Sequence, residues 1–207
     1  MTDIDRRQAL QIFAGVPLLA AGLTPGDVAL AALHVRSTQI AQSTNRPIAF
    51  APAFFTTHEW ETVRILVDLI IPRDAHSGSA TEALVPEFMD FILNENSGMQ
   101  TPMRGGLAWL DNECHDRFGK TFTEASDGQR RQILDDIAWP RRARPEFSQG
   151  VEFFNTMRDL TASGFYSSQI GVADLQYIGN TVMAEWMGCP PEALQKLGVS
   201  YGVGSGE

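Results

Sequence analysis

The densest apolar periodicity of the chain lies in residues 55–93, FFTTHEWETVRILVDLIIPRDAHSGSATEALVPEFMDFIL. At its start, Thr56 and Glu59 form a capping box, which predicts the beginning of a helix. The apolar stripe that follows covers most of the helix circumference, as is typical of a helix buried on all sides. Pro72 ends this helix, and Pro86 begins a second one after a polar elbow. The stretch therefore predicts two core helices around which the rest of the chain packs.

A third helix is predicted from Thr101 and Pro102, which have the pattern of an N-cap and a first helical residue. Its apolar stripe ends before Gly119, a predicted C-cap. Gly105 and Gly106 lower helix propensity by about 1 kcal/mol each. They indicate either that the helix begins after them or that another element packs closely against their backbone.

Further helices follow this one. Ser126 with Gln129 forms a second capping box, and an apolar stripe resumes at Val151 and ends near Gly164. A short last helix is predicted to end at Gly198. Helical periodicity without strand patterns predicts an all-α fold class, arranged as one compact helical domain.

Composition excludes several classes of function. A chain of 207 residues with 43% hydrophobic content can bury one sizeable core, so we expect one domain. The formal net charge of −9 repels a phosphate backbone and excludes nucleic acid as a partner. Two cysteines cannot form a disulfide framework.

The N-terminus has the pattern of an export signal. Arg6, Arg7 and Leu10, in the sequence DRRQAL, precede a weakly apolar run that is too short to cross a bilayer. This pattern predicts a twin-arginine signal, and hence a protein exported to the periplasm. The alternative is an amphipathic N-terminal helix with two solvated arginines.

These signals predict the organisation of the whole chain. Residues 1–31 are expected to be the signal, 32–54 an extended lead-in, 55–198 the helical domain and 199–207 a flexible tail with an irregular strap before it.

The sequence offers no active site of its own, so no catalytic, cofactor-binding or metal-binding residue is predicted. The four histidines are scattered, without the spacing of a metal site, and no C-x-x-C-H pattern would attach haem. Cys114 lies on the apolar stripe of the third helix and is predicted to be a buried thiol. Cys189 lies between Gly188 and two prolines, away from any helical core stripe.

Three segments, in order, resemble the gluconate 2-dehydrogenase subunit 3 family, the small subunit of membrane-associated flavin dehydrogenases. The first joins D-x-I-I-P at 68–72 to P-E-F-x-D-F-I at 86–92. The second spans residues 106–137, and the third is FFNTMRDLTASGFYSS at 153–168. Residues 174–194 are more similar to the branch that accompanies glucoside 3-dehydrogenases, whose large subunit oxidises the C3 hydroxyl of a hexose.

The resemblance implies a non-catalytic small subunit that supplies the export signal and stabilises or chaperones the catalytic subunit. FAD is expected in that large partner, of the glucose-methanol-choline oxidoreductase type, and none in this chain. A cytochrome c subunit is a further possible component, and the complex would associate with the inner membrane. We predict that the partner interface contains aromatic and proline residues; they are Trp60, Pro72, Phe165, Tyr166, Tyr177 and Trp186. Cys189 is a candidate for an intersubunit disulfide, and the alternatives are a small buried thiol beneath the last helix or a disulfide with Cys114.

Two other functions fit the same sequence. One is a self-sufficient small periplasmic enzyme or redox protein that uses Cys114 or Cys189. The other is a free-standing assembly chaperone that leaves its client before export. Purification from the native host distinguishes them, since only the subunit hypothesis predicts a stable complex with a flavin-containing chain.

Overall fold

The computed structural model describes residues 24, 26–27, 29–35, 50–176 and 188–200. The chain divides into two units, one ending at Gln176 and one beginning at Tyr177. Within the described ranges the regular structure is helical, with no strand, which confirms the predicted all-α class. None of the helices in these ranges has the length and apolar character needed to cross a bilayer. Of the predicted signal, residues 1–31, positions 1–23, 25 and 28 lie outside the described ranges, and residues 29–31 belong to a helical segment.

The helices of the first unit follow one another along the chain, and the connection at residues 71–84 is the longest between the helices of 57–174. A helical segment at 29–35 comes first, and the second unit contains one described helix, α7. The bounds are α1 Thr57–Ile70, α2 Val85–Glu95, α3 Ser97–Phe118, α4 Asp127–Ile137, a 3₁₀ turn Pro145–Phe147, α5 Ser148–Ser167, α6 Gln169–Asp174 and α7 Pro191–Leu197.

Helix α5 is the centre of the first unit, because it packs against α1, α2, α3, α4 and α6. Its inward residues lie on one apolar stripe and are almost fully buried; among them are Phe153, Phe154, Met157, Leu160 and Phe165. The pair α1 and α2, which the sequence analysis placed at the centre, forms one flank of this helix. The apolar periodicity of a helix indicates how much of its surface is apolar, but it does not indicate how many other helices pack against it.

Helix α1 begins as predicted. The Thr56 hydroxyl accepts a hydrogen bond from the Glu59 N–H, and the Glu59 carboxylate accepts one from the Thr56 N–H at 2.8 Å. Only one face of the helix is fully buried, against α2 and α5. Trp60 and Ile65 are half-buried at the edge of that face, so the predicted burial on all sides is wrong.

The segment before α1 is held by one buried carboxylate. Asp90 of α2 is 2% exposed and accepts hydrogen bonds from the backbone N–H groups of Ala53, Phe54 and Phe55, at 2.8, 3.0 and 3.1 Å. Of the predicted extended lead-in, residues 32–54, positions 50–54 are non-helical as expected. Residues 32–35 are helical instead, and Val35 is buried in the core of this unit.

Helix α3 begins at Ser97, four residues before the predicted start at Thr101, and Pro102 lies inside it. The additional turn buries Met99, and the Gln100 side chain donates to the Leu93 carbonyl at 2.8 Å. These tertiary contacts outweigh the single backbone hydrogen bond that proline removes from the helix. The predicted C-cap Gly119 is confirmed, with a left-handed φ of 67°.

Helices α3 and α5 approach closely through two reciprocal pairs of a glycine and an aromatic ring. A Cβ on Gly106 of α3 would overlap the Phe153 side chain of α5. A Cβ on Gly150 of α5 would lie 2.5 Å from Cη2 of Trp109 on α3. Each helix thus leaves space for a ring of the other, which explains why the helix pattern of α3 contains glycine.

Candidate functional site

The polar side chains between α1 and α3 serve to hold the backbone. Arg104 of α3 donates to both carboxylate oxygens of Glu59, at 2.8 and 2.7 Å, and to the Phe54 carbonyl at 2.7 Å. Its guanidinium group also stacks over the Phe54 ring, 4.5 Å from the centroid. Together with Asp90, this arginine fixes the entry into α1 from both sides. Its hydrogen bonds are structural ones.

The loop before α4 is held in the same way. Arg130 donates to the carbonyl groups of Phe122 and Thr123, at 2.9 and 2.6 Å. Asp111 of α3 accepts from the Phe122 N–H at 2.9 Å, and its second oxygen lies 2.6 Å from Nε2 of His58. Across the described ranges, no three His, Cys, Asp or Glu side chains are grouped as metal ligands would be.

The two cysteines differ in exposure, and the predicted burial of Cys114 is confirmed. Cys114 is buried, and its burial raises the pKa of the thiol to about 11, so it is not a thiolate at neutral pH. Cys189, in the second unit, is exposed. A buried position for Cys189 beneath the last helix is therefore wrong, and a disulfide from Cys189 to a partner subunit stays a prediction.

The predicted interface residues have different surroundings. Trp60 is half-buried beside Phe50, with 5.1 Å between ring centroids, whereas Pro72 is exposed. Tyr166 is half-buried, but its neighbour Phe165 is 0% exposed and belongs to the core, so this ring presents no surface to a partner. Apolar periodicity cannot distinguish an aromatic residue of the core from one on a surface that binds a partner, because both positions favour an aromatic side chain. The residues Tyr177, Trp186, Arg6, Arg7 and Leu10 lie outside the described ranges.

A groove that the sequence did not predict runs between α3 and the N-terminal half of α5. Its volume is about 360 Å³, and it is open to solvent on one side. The apolar wall and the glycine backbone are bordered by a polar rim from α5; the lining residues are Pro102, Met103, Gly105, Gly106, Trp109, Gln149, Glu152, Phe153 and Thr156. The glycine pair of α3 is the sequence signal that could have indicated it.

Two features of this groove favour binding over catalysis. A Cβ on Gly105 would meet no atom within 4 Å, so the backbone of α3 is accessible there. The only ionisable side chain of the lining is Glu152, which is exposed and is not paired with any basic side chain of the described ranges. A single carboxylate on an apolar groove can attract a cation, but the lining gives it no second ionisable group with which to form an acid–base pair.

Comparison with known proteins gives one result. The family model described as gluconate 2-dehydrogenase subunit 3 matches residues 57–184, more than half of the chain, from the first residue of α1 to beyond the end of α6. Searches of curated proteins and of solved structures found no match. The chain therefore belongs to the gluconate 2-dehydrogenase subunit 3 family, whose members are accessory subunits of dehydrogenase complexes.

Proposed function

We propose that this chain is the non-catalytic small subunit of a periplasmic, FAD-dependent glucoside 3-dehydrogenase. The observation that carries the proposal is the family match, which spans all the helices from α1 to α6. The finer choice of a glucoside 3-dehydrogenase is supported by the similarity of residues 174–194 to that branch. The large partner, of the glucose-methanol-choline oxidoreductase type, would hold the FAD and oxidise the sugar. A cytochrome c subunit would accept the electrons.

The contribution of this chain is stabilisation of its partner. The polar side chains of the bundle are engaged in holding its own backbone, as Asp90, Arg104 and Arg130 do, so the bundle can present a fixed surface. A subunit that binds the folded partner and not the unfolded one raises the apparent stability of that partner by mass action.

Export is the second proposed contribution. Arg6 and Arg7 before a weakly apolar run support a twin-arginine address, which is used by proteins that cross the membrane folded. The large subunit takes up FAD in the cytoplasm and would cross with this chain as a preformed complex. The mature complex would then lie in the periplasm, at the inner membrane.

The test is purification of the chain, tagged at its C-terminus, from the periplasm of its native host. We expect a complex with a larger chain, the absorption spectrum of FAD and dehydrogenase activity towards glucosides. Identification of the product as a 3-keto sugar separates this reaction from oxidation at C2. Changing Arg6 and Arg7 to Lys is expected to leave both chains in the cytoplasm.

Each alternative gives a different result. Activity of the purified chain without a flavin-containing partner would show a self-sufficient enzyme and refute the proposal. A complex found only in the cytoplasm, with the large chain alone in the periplasm, would show a chaperone that leaves before export. A 2-keto product would retain the subunit role and refute the glucoside 3-dehydrogenase assignment.

A further inference from the structure

We propose that the groove between α3 and α5 binds a surface segment of the large dehydrogenase subunit, through an apolar side chain followed by a lysine or arginine. This inference rests on the proposed function, because it requires the large subunit as the partner. It adds the place of contact and the chemistry of the contacting segment.

The apolar part of the groove provides the site for the side chain. Met103 and Phe153 are buried to within a few per cent and form its base, and Trp109 is half-buried on its wall. Both aromatic rings are fixed by the glycine of the opposite helix. A preformed apolar pocket with rigid aromatic walls binds a large side chain without an ordering cost, which is typical of the central contacts of protein interfaces.

The exposed backbone at Gly105 favours a polypeptide as the occupant. Because no atom lies within 4 Å of the position of its Cβ, another backbone can approach α3 at this residue. The volume of about 360 Å³ is near the lower limit for small-molecule sites, and one side is open. A side chain inserted from a flat neighbouring surface fits this shape better than a free ligand does.

The rim determines the charge of the segment. Glu152 is unpaired among the described residues and lies on α5 next to the apolar wall, while the other rim residues, Gln149 and Thr156, are neutral. A cation adjacent to the inserted side chain would pair with this carboxylate, and an acidic segment would be repelled. The expected partner segment is therefore apolar and basic.

Gly105→Phe tests the inference, because Gly105 lines the groove and the position of its Cβ is free, so a ring added there competes with the partner segment for the groove. The variant is tagged and expressed in a native host that lacks its own copy, and flavin absorbance per mole of tagged chain measures the partner. We expect a loss of about tenfold or more. Gly105→Ala is the matched control that leaves the groove open. Gly128→Phe places the same ring at another glycine with free space, on α4.

A charge reversal provides a second variant. Glu152→Lys is expected to reduce the bound flavin as well, whereas Asp135→Lys, at an exposed carboxylate of α4 outside the groove, is expected to leave it unchanged. Wild-type levels of flavoprotein on both Gly105→Phe and Glu152→Lys would overturn the inference and retain the proposed function. Absence of the flavoprotein from the wild-type chain would refute the proposed function itself.

Discussion

Two adjacent glycines of α3 are predicted to respond in opposite ways to the same substitution. Both lie inside a helix, where alanine is preferred over glycine by about 1 kcal/mol. Gly105→Ala adds a methyl group that meets no atom within 4 Å, so this preference is realised in full. We expect a gain of about 0.5–1 kcal/mol in the free energy of unfolding.

Gly106→Ala adds the same methyl group into the Phe153 side chain. The ring cannot rotate out of the way, because the Cβ atom of Phe153 would itself lie only 2.7 Å from the new carbon. The backbones of α3 and α5 must therefore separate, and overpacking of this kind costs about 1–3 kcal/mol or more. Because the new carbon would overlap Cδ2 of Phe153, we take the upper end of that range, about 3 kcal/mol. After a gain of about 1 kcal/mol in helix propensity, the net loss is about 2 kcal/mol, and the two variants differ by about 3 kcal/mol.

Thermal unfolding of the full chain, followed by circular dichroism, measures both variants. For a chain of this size, each kcal/mol of stability corresponds to about 2–4 °C in Tm. The Tm of Gly105→Ala should therefore rise slightly, and the Tm of Gly106→Ala should fall by about 4–8 °C. Phe153→Leu provides space for the new methyl group, so Gly106→Ala is expected to cost less in that background. Equal effects of the two alanines, or no coupling between Gly106 and Phe153, would refute the packing described for α3 and α5.

Three other predictions concern single groups. Asp90→Asn retains one acceptor oxygen but places an amide NH₂ group near the Ala53 N–H. We therefore expect the free energy of unfolding, measured with urea, to fall by about 2–4 kcal/mol. Glu87 is buried with one oxygen unpaired, and burial raises the pKa of its carboxyl above the usual 4.5. Ionisation of Glu87 therefore lowers the free energy of unfolding. This loss is absent below pH 4.5, where the carboxyl is protonated in both states, grows as the pH rises, and is complete above the folded-state pKa. Glu87→Gln should therefore stabilise the chain at pH 7 and flatten this dependence. In the reduced chain, a thiol reagent at pH 8 should modify the exposed Cys189 much faster than Cys114, whose pKa is about 11.

The controls use the same chain. Asp135→Asn, at an exposed carboxylate of α4, should change stability by less than about 0.5 kcal/mol, and an equally small effect at Asp90 would contradict its role. If the free energy of unfolding of Glu87→Gln depends on pH as that of the wild-type chain does, a group other than Glu87 causes the dependence. Cys189→Ser should remove the fast labelling phase; if the fast phase survives, Cys114 is the reactive thiol.

Much of the fold could be predicted where a structure depends on residues close in sequence. The boxes Thr56 with Glu59 and Ser126 with Gln129 both form, because each closes within a single helical turn. Gly119 ends α3 in the left-handed conformation that its C-cap position requires. The buried state of Cys114 follows from helical periodicity alone.

Features that depend on distant residues could not be predicted. Gly164 was expected to end the fifth helix, yet α5 continues to Ser167, and this glycine instead leaves space for Phe88 of α2, 2.9 Å from the position of its Cβ. The hydrogen bonds to Asp90 join residues more than 30 positions apart, and the residue type alone does not indicate them. The groove likewise depends on how α3 and α5 cross, of which the glycine pair gave only a hint.

The glycine and aromatic pairs between α3 and α5 also constrain how the sequence can change over evolutionary time. Each ring occupies the volume that a side chain on the opposite glycine would need, so neither member of a pair can be enlarged alone. We expect Gly106 and Phe153 to vary together among related chains, and Gly150 with Trp109. Gly105 has no such neighbour and should vary independently of Phe153, unless a partner in the groove restricts it. Substitution patterns at adjacent positions would then report two separate selective pressures, one from the fold and one from assembly.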